Sequence, residues 1–488
     1  MLRLSKSKII SGLQCPRKLW FDLNPPEGWQ GPDESLQFLF SQGHRVGEAA
    51  QGLFPGGTLI EHFDDLEKAQ ELSRLLLREP KPLFEAAFSY QDVLVRTDLL
   101  LPEEGGNYRL VEVKASVDLK AHYLLDCAIQ YWVLRGAGVP VRRAELAHIN
   151  KEFIYQGDGD YRGLFNFLDV TDRVKNLLWE VPCWLEWCRR AVEEGPPEVV
   201  PGGQCEEFYA CPYQGYCGEE EEVEFPISFL PRLSRKKIEE LNARGIRDLR
   251  ELPEDYPLSE RQKWVKEVIL SGKVYVSDDL QRKLSSLPYP RYYLDFETLK
   301  LAVPIWKGTR PYEMIPFQWS CHVEEAPGCV YHYDFVKVDG EDPRRNFIES
   351  LLDVLGEEGP VIVYTNFEER MLKSIADFLP FYQEKVKAVC TRLEDLCEIL
   401  RKGYCHPKME GSWSLKKVVP ALLGEEFSYE SLEIKEGTLA EAVGVALTLN
   451  EVSEEERTRH ISLLKKYCRH DTEVMLEIVK RLVNSDDK

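Results

Sequence analysis

The sequence lacks any apolar run long enough to span a membrane, and its first residues lack the basic start and apolar core of a signal peptide. The apolar stretch Leu2–Ile10 is interrupted by Arg3, Lys6 and Lys8. We therefore expect a cytoplasmic protein with no membrane partner.

An excess of positive charge is also missing, because 62 Lys and Arg residues face 83 Asp and Glu residues and give a formal net charge of −21. This balance argues against a protein that coats nucleic acid with a uniformly basic surface. It leaves nucleic-acid binding open, since metal-site carboxylates add negative charge and local Lys or Arg clusters still attract phosphate. The acidic run Glu219–Glu222 is typical of a solvated linker.

The thirteen cysteines argue against a disulfide framework, because no secretion signal accompanies them. Cys15 lies near the N-terminus, and Cys205, Cys211 and Cys217 stand together in CEEFYACPYQGYC. Their spacing is wider than the CxxC of zinc ribbons, but thiolates in Pro- and Gly-containing loops suit a soft metal centre. Four cysteines would complete an Fe–S cluster or a structural zinc site. The alternative is that three cysteines in one loop are incidental.

A single core is not expected, because 488 residues exceed the usual size of one domain. The patterns predict an α/β protein in three segments. Residues 1–220 combine strand-like runs with a long helix at about His122–Gly136, residues 221–285 form a helical connector, and residues 286–488 form a second α/β unit. The GIRDL turn of the connector resembles a helix-hairpin-helix, with a plain helical connector as the alternative.

Two strand-like runs, YRLVEVKAS and YYLDFET, carry acids where a core strand should have none. Side chains two apart on a strand share a face, so Glu112 lies beside Lys114 and Asp295 lies beside Glu297. A buried carboxylate is costly unless it is compensated, and a divalent metal ion is a frequent compensation. The two runs therefore predict two metal-dependent catalytic domains.

The first candidate site adds Asp98, which ends the strand before Glu112 and Lys114, and Gln130 in the following helix. The two carboxylates can bind Mg²⁺ or Mn²⁺, which polarises a phosphoryl group and activates water. The lysine can stabilise the developing negative charge. The alternative is a partly exposed hairpin with a cross-strand ion pair, and Gln130 as a solvent-facing helix residue.

With the four cysteines, these residues resemble a RecB-like PD-(D/E)XK nuclease of the branch that includes the AddB nuclease domain and the CRISPR-adaptation exonucleases. The resemblance implies a restriction-endonuclease-like fold for residues 1–220. It also implies a structural 4Fe–4S cluster, in preference to zinc, on Cys15, Cys205, Cys211 and Cys217. The family's Gly-x-x-x-His metal ligand is not matched here. Either Glu48, next to Gly47, supplies the ligand instead, or the ligand is missing.

The second candidate site joins Asp295 and Glu297 to Glu368, at a helix start in VIVYTNFEERML, and to Tyr467 and Asp471 in KKYCRHDTEVM. The last two lie one helical turn apart on one face. Four such carboxylates can hold two divalent metals about 4 Å apart, while the tyrosine orients the attacking water. The alternatives are a helix-dipole charge at Glu368, core packing of Tyr467 and a surface acid at Asp471.

The order of these residues resembles an RNase H-like 3′–5′ exonuclease of the DEDD type, in its tyrosine subtype. Glu368 stands where the family usually has Asp. Over about 290–482 the chain also resembles a bacterial domain of unknown function that commonly follows RecB-like nucleases. Lys416 and Lys417 can contact phosphate, with a solvated helix start as the equal alternative.

These resemblances imply a two-nuclease enzyme of DNA processing or repair that binds nucleic acid, DNA in preference to RNA, and acts with a helicase or a repair partner. The first alternative is a nucleic-acid-binding module in which one or both sites have lost catalysis. A third hypothesis is a redox-sensing scaffold governed by the cysteine cluster.

Overall fold

The computed structural model describes residues 3–31, 34–62, 64–217 and 223–484, so the acidic run Glu219–Glu222 lies outside the described residues. The chain is a mixed α/β protein, as expected, and divides into two compact units. Unit 1 contains residues 1–220 and 301–313, and unit 2 contains residues 221–300 and 314–488. Among the described helices, none has the length and apolar character needed to cross a membrane.

Unit 1 is built on one sheet with helices around it. Its strands are β1 (Leu4–Ser5), β2 (Thr58–Leu59), β3 (Leu83–Tyr90), β4 (Val93–Glu103), β5 (Asn107–Lys114), β6 (Val141–Ile149) and β7 (Phe165–Asp169). Its helices are α1 (Lys6–Gln14), α2 (Pro16–Leu23), α3 (Glu34–Gly52), α4 (Leu66–Leu76), α5 (His122–Gly136), α6 (Thr171–Leu177) and α7 (Val181–Glu193).

The sheet of unit 1 has the order β2-β3-β4-β5-β6-β7, and β1 pairs with β4 outside this path. β4 and β5 form an antiparallel hairpin, whose tight turn uses Gly105 and Gly106 at φ of 71° and 73°. These positive φ values suit glycine, which has no Cβ to clash. β5 then pairs with β6 in parallel, with α5 as the crossover helix. The hairpin and α5 position the first candidate site.

A short segment from the second half of the sequence, Leu301–Glu313, belongs to unit 1. The Tyr155 amide donates to the Thr309 carbonyl at 3.0 Å, and the Tyr161 hydroxyl donates to the Pro304 carbonyl at 3.2 Å. The sequence analysis assigned this segment to residues 286–488, so the structure differs here. A local sequence pattern cannot predict this assignment, because the residues that contact the segment lie far away in the chain.

Unit 2 contains the connector and the second sheet. Its strands are β8 (Tyr275–Val276), β9 (Arg291–Lys300), β10 (Met314–Ala326), β11 (Cys329–Val336), β12 (Val361–Val363), β13 (Leu393–Asp395) and β14 (Tyr404–Cys405). Its helices are α8 (Arg235–Ala243), α9 (Glu260–Ser271), α10 (Asp278–Ser285), α11 (Arg344–Leu355), α12 (Phe367–Phe378), α13 (Gln383–Cys390), α14 (Leu396–Gly403), α15 (Leu415–Leu422), α16 (Gly437–Thr448) and α17 (Glu454–Asn484).

The main sheet of unit 2 has the order β11-β10-β9-β12-β13. β9 is antiparallel to β10 and parallel to β12, so it lies in the middle of the sheet. Its side chains are buried on both faces apart from the half-buried Asp295 and Lys300, which explains the near-continuous apolar run in its sequence. The connector is not purely helical, because β8 pairs with β14.

Candidate functional sites

The first acid cluster lies where β4, β5 and α5 of unit 1 meet. Glu112 and Lys114 share one face of β5, and the Lys114 ammonium donates to Glu112 Oε1 at 2.8 Å. The Lys6 ammonium donates to the same oxygen at 2.6 Å. Asp98, on β4, accepts a hydrogen bond from the Val113 amide at 2.6 Å. The hairpin thus brings together the three charged residues that the sequence singled out.

The two acids of this cluster have opposite pKa shifts. Burial disfavours the charged form of Glu112, but Lys114 and Lys6 outweigh burial and hold its pKa at about 2. Burial, followed by repulsion from Glu112, raises the pKa of Asp98 to about 7. At neutral pH, Glu112 is therefore a stable anion, whereas Asp98 still favours a proton or a further cation.

Gln130 and two residues that the sequence analysis did not single out complete the cluster. Gln130 is buried and donates to Glu112 Oε2, so the alternative of a solvent-facing helix residue is wrong. Asp126, one turn earlier on α5, accepts from the Lys114 ammonium at 2.5 Å. The spacing of four between Asp126 and Gln130 was a usable signal. Lys6 offered none, because it lies 106 residues from Glu112 in the chain.

Glu48, the predicted alternative metal ligand, is exposed on α3. It lines a cavity of about 680 Å³ in unit 1 together with Arg45 and Arg162. Neither Asp98 nor Glu112 lines this cavity. Within the described ranges the structure does not join Glu48 to the acid cluster, and its role as a ligand stays a prediction.

The four predicted cluster cysteines come from two distant parts of unit 1. Cys15 stands between α1 and α2, and Cys205, Cys211 and Cys217 lie in the loops after α7. The Cys211 amide donates to the Cys205 carbonyl at 2.7 Å. Burial, with a contribution from neighbouring thiols, raises the pKa of Cys211 and of Cys217, and Cys15 is among the neighbours of Cys217. The four thiols therefore share one electrostatic environment.

Hydrogen bonds tie the N-terminal helices of unit 1 to the cysteine loop. The Gln14 side-chain amide donates to the carbonyls of Gln204 at 2.9 Å and Tyr209 at 2.6 Å. The Tyr213 hydroxyl donates to Asp22 at 3.0 Å. These contacts bring the first cysteine to the other three and hold two distant parts of the chain together.

The spacing of the thiols bears on which metal they fit. Among the described residues, no three of these cysteines have sulfur atoms that all lie within 4.8 Å of one another. A single tetrahedral zinc ion with bonds of about 2.3 Å needs sulfur atoms about 3.8 Å apart. Within the described residues these sulfur atoms therefore do not form the compact arrangement of a single tetrahedral zinc site.

The second acid cluster lines a cavity of about 800 Å³ in unit 2. β9 supplies Asp295 and Glu297, the first turn of α12 supplies Glu368, and α17 supplies Asp471. The pairing of β9 with β10 has an irregularity between Pro316 and Gln318, next to the pair formed by Gln318 and Glu297. Such bulges are frequent beside active sites because they re-aim a side chain. All four predicted acids therefore share one cavity.

The acids of the second cluster repel one another. Burial, followed by repulsion from the neighbouring acids, raises the pKa of Asp295 and Glu297 well above their ordinary values. Burial raises the pKa of Asp471 to about 7 and that of Glu368 to about 8. Within the described residues none of the four forms an ion pair, and Glu368 Oε2 is buried without a hydrogen-bond partner. Asp471 is buried, so the alternative of a surface acid is wrong.

The contacts of this cluster include two residues that the sequence analysis missed. The Tyr429 hydroxyl donates to Asp471 Oδ1, and the Cys468 thiol donates to Asp295 Oδ2 at 3.4 Å. Ligand atoms of Asp295, Glu297 and Cys468 all lie within 4.8 Å of one another, which is the size of a metal site. In the sequence, only the position of Cys468 next to Tyr467 could have suggested a place in the site. Nothing in the sequence pattern predicted that Tyr429 would contact Asp471.

The Tyr467 side chain is buried and also lines the cavity. It can therefore pack in the core, which was the alternative, and contribute to the site as well. The donor set is mainly carboxylate oxygen, which hard divalent ions such as Mg²⁺ and Mn²⁺ prefer. The Glu368 Oε2 atom, which is buried and has no hydrogen-bond partner, suits coordination of a cation of this kind. We conclude that the second cluster can hold divalent metal.

Comparisons with known proteins identify relatives without a described activity. Residues 292–414 match the family model described as a domain of unknown function, DUF2779. The chain is similar to the uncharacterized protein MG366 of Mycoplasma genitalium, with 26% identity over 227 residues that cover 42% of this chain and 33% of that protein. Its homolog in Mycoplasma pneumoniae is 25% identical over 226 residues that cover 42% of this chain and 34% of that protein.

The chain therefore aligns with about a third of the length of these relatives. Among solved structures, the crystal structure of SSO0001 aligns with 37% of this chain and 75% of its own, at 10% identity and a TM-score of 0.18.

Proposed function

We propose that the protein is a metal-dependent nuclease that hydrolyses phosphodiester bonds, in DNA rather than RNA. The observation that carries the proposal is the second acid cluster. Asp295, Glu297, Glu368 and Asp471 gather in one cavity, and no described residue forms an ion pair with any of them. Buried negative charge without compensation is costly, so the cavity favours the binding of divalent cations.

In the second site, a bound pair of divalent ions would stabilise the attacking and leaving oxygens of a phosphodiester. The four carboxylates would hold these ions, and Tyr429 fixes the orientation of Asp471 through its hydrogen bond. The Tyr467 side chain lines the same cavity, where its hydroxyl can orient an attacking water. The RNase H-like, tyrosine-type assignment of residues 286–488 belongs to this proposal, and the sheet of unit 2 with its central acid-bearing strand supports it.

In the first site, Asp98 and Glu112 would hold a divalent ion. The Lys114 ammonium is held by Glu112 and Asp126, which prepares it to stabilise negative charge that develops on a phosphate. Gln130 orients Glu112 from the opposite side. The assignment of residues 1–220 to a PD-(D/E)XK nuclease is part of the proposal, as is a 4Fe–4S cluster on the four cysteines.

A second candidate function applies to unit 1 alone, namely nucleic-acid binding without catalysis. It is favoured by the two lysines on Glu112 Oε1, which compensate this acid without a metal ion. A role in DNA repair and a helicase partner stay predictions.

The test uses the purified chain with labelled single- and double-stranded DNA and RNA, in Mg²⁺ or Mn²⁺. Lys114→Ala, Asp295→Ala and the double variant are compared with the wild type. We expect each single variant to lose one cleavage pattern and the double variant to lose both. A wild type that cleaves none of the substrates would overturn the proposal, and a loss with Asp295→Ala alone would favour the second candidate for unit 1. Elemental analysis for iron and zinc on the same preparation tests the cysteine cluster.

A further inference from the structure

The connector of unit 2 forms part of the wall of the second cavity. Pro231, Arg232 and Leu233, before α8, line the cavity together with Asp295, and so does Arg261 in the first turn of α9. The sequence predicts a helical connector here, either plain or with a turn that resembles a helix-hairpin-helix. In the structure it contributes side chains to the same cavity as the acids.

Several contacts fix the connector in this position. Gly411 packs so closely on the connector that a Cβ atom there would lie 1.7 Å from the Phe229 carbonyl oxygen. The side-chain amide of Gln262, on α9, donates to the Pro231 carbonyl at 3.0 Å. Trp264 stacks on Trp413 with ring centroids 5.9 Å apart. The connector segment is therefore held against the loop before α15 as part of one packed unit.

The cavity is lined by both acids and cations. Its lining includes Arg232, Arg261, Arg401 and Lys416 as well as the four carboxylates. The Lys416 ammonium lies 3.8 Å from the Glu436 carboxylate, whereas the side chains of Arg232 and Arg261 form no ion pair or hydrogen bond with any described residue. The chain has a net charge of −21, so carboxylates are plentiful as partners for arginine. Two arginine side chains without a carboxylate partner in one cavity therefore indicate a site for an anionic ligand.

Arg232 also has an unusual backbone conformation, with φ of 56°. Non-glycine residues seldom adopt positive φ, and such outliers cluster at ligand-binding and active sites because the surrounding packing must impose them. Glycine and asparagine adopt this conformation most readily, but here an exposed arginine that lines the cavity adopts it. This observation is independent of the charge pattern and points to the same residue.

We propose that Arg232 and Arg261 bind the phosphates of a single nucleic-acid strand whose end lies at the acid cluster of unit 2. The proposal rests on the nuclease function proposed above and names the element that holds its substrate. Guanidinium groups match phosphate geometry, and a phosphate backbone needs cations spaced beyond the metal-binding acids. A cavity of about 800 Å³ has the size of a small-ligand pocket, which suits the end of a single strand.

The test measures binding without cleavage. The full chain is titrated in EDTA against a fluorescein-labelled single-stranded oligonucleotide of 12 thymidines, with anisotropy recorded over a range of KCl concentrations. The variants are the double substitution Arg232→Gln with Arg261→Gln, the double substitution of both arginines by lysine, and the control Arg244→Gln. Arg244 is an exposed connector arginine that does not line the cavity.

We expect the double glutamine variant to bind about tenfold more weakly at low salt. Its log–log salt slope should fall by about 1.4, because each phosphate contact on a single strand contributes about 0.7. The double lysine variant should recover most of the affinity, since it keeps the charges, and Arg244→Gln should match the wild type. An oligonucleotide that carries 4-thiothymidine should crosslink to connector peptides that contain Arg232 or Arg261.

Three results would overturn the inference: an unchanged salt slope in the double glutamine variant, an equal loss with Arg244→Gln, or equally tight and arginine-dependent binding of a blunt duplex. If the wild type still cleaves nucleic acid in Mn²⁺, only the inference about the connector fails. If the wild type neither binds nor cleaves, the proposed function fails with it.

Discussion

The two acid clusters bury carboxylates in opposite ways. In unit 1, Glu112 has two lysines on one oxygen and a pKa of about 2. In unit 2, Asp295 and Glu297 have no cation among the described residues, and their pKa values are raised. A protein can therefore compensate a buried acid with its own lysines or leave the compensation to a cation from solution.

The difference predicts how each cluster responds to removal of metal. In the cluster of unit 1, two lysines already compensate Glu112, so its local stability should depend less on divalent ions than that of unit 2. In the cluster of unit 2 the carboxylates repel one another unless a cation binds between them. The free energy of unfolding of unit 2 should therefore rise with metal concentration by mass action. The four predictions below test this contrast, in decreasing order of expected effect.

The largest effect should come from the loss of one acid in unit 2. In a Lys114→Ala background, where only the second site reports, Asp295→Asn should lower Mn²⁺-dependent hydrolysis about a thousandfold. Each tenfold corresponds to about 1.4 kcal/mol, and a bound metal supplies several. Initial rates on a labelled single strand measure the effect, with the exposed Asp353→Asn as the control. Equal rates in the two variants would remove Asp295 from the chemistry.

The next largest effect should come from the loss of a lysine in unit 1. Lys114→Met leaves Glu112 and Asp126 with one cation fewer and should destabilise unit 1 by about 3–5 kcal/mol. Hydrogen exchange of peptides from β5 in denaturant measures the change. The exposed Lys151→Met should be silent. If Lys114→Met leaves exchange unchanged, the ion pairs do not stabilise this cluster and the contrast with unit 2 is lost.

A smaller effect of opposite sign is expected at Glu368. In EDTA, Glu368→Gln should stabilise unit 2 by about 1–2 kcal/mol, because a neutral amide avoids the cost of burying this carboxyl in its charged form or of protonating it. The same variant should gain less from Mn²⁺ than the wild type. Its neighbour Glu369→Gln loses a surface ion pair with Lys373 and should cost about 0.3–0.5 kcal/mol. Destabilisation by Glu368→Gln in EDTA would contradict the burial cost that raises the pKa of Glu368.

The smallest effect should be a difference in pH dependence. Asp471 and Glu368 have folded pKa values of about 7 and about 8, above ordinary values of 3.8 and 4.5. The folded state then binds more protons than the unfolded state, so metal-free unit 2 should lose stability as pH rises from about 4 to 8. Glu112 acts in the opposite direction, because its lowered pKa adds stability above pH 4.5 that is lost toward pH 2. Asp98 has a raised pKa of about 7, so it lowers the stability of unit 1 as pH rises from about 4 to 7, a range in which Glu112 no longer contributes to the pH dependence.

Hydrogen exchange of β9 and β5 peptides in EDTA at pH 5, 6.5 and 8, corrected for intrinsic exchange rates, measures both trends. Protection of β9 should fall more steeply than protection of β5, and Mn²⁺ at pH 8 should restore it. If protection of β9 and of β5 changed equally with pH, the two clusters would not differ in how their buried acids are compensated, and the contrast between them would be wrong.

The sequence was sufficient where the signal was local. The alternation in YYLDFET placed Asp295 and Glu297 on one strand face, and the spacing of four placed Tyr467 and Asp471 on one helix face. Both pairs do line one cavity. Asp126 could have been found by the same spacing rule from Gln130.

The sequence was insufficient where the partners are distant in the chain. Lys6 reaches Glu112 across 106 residues, and Tyr429 reaches Asp471 across 42, so only the fold brings each pair together. Arg232 stands out by its positive φ angle, which cannot be predicted from the amino-acid composition around it. Glu48 came from the departure from a family pattern, and its role as a metal ligand stays a prediction.

The segment Leu301–Glu313 limits how this chain can be divided or recombined. A fragment that ended at residue 220 would lack the Thr309 carbonyl that accepts from Tyr155, and it would lack Ala302, which is fully buried against Val46 and Ala50. A fragment that carried the remaining residues would hold this peptide without its partners. Gene fission near residue 220, or exchange of either half with another protein, would therefore yield two incomplete products. The two halves are expected to be inherited as one reading frame, or to reassemble only as complementing fragments.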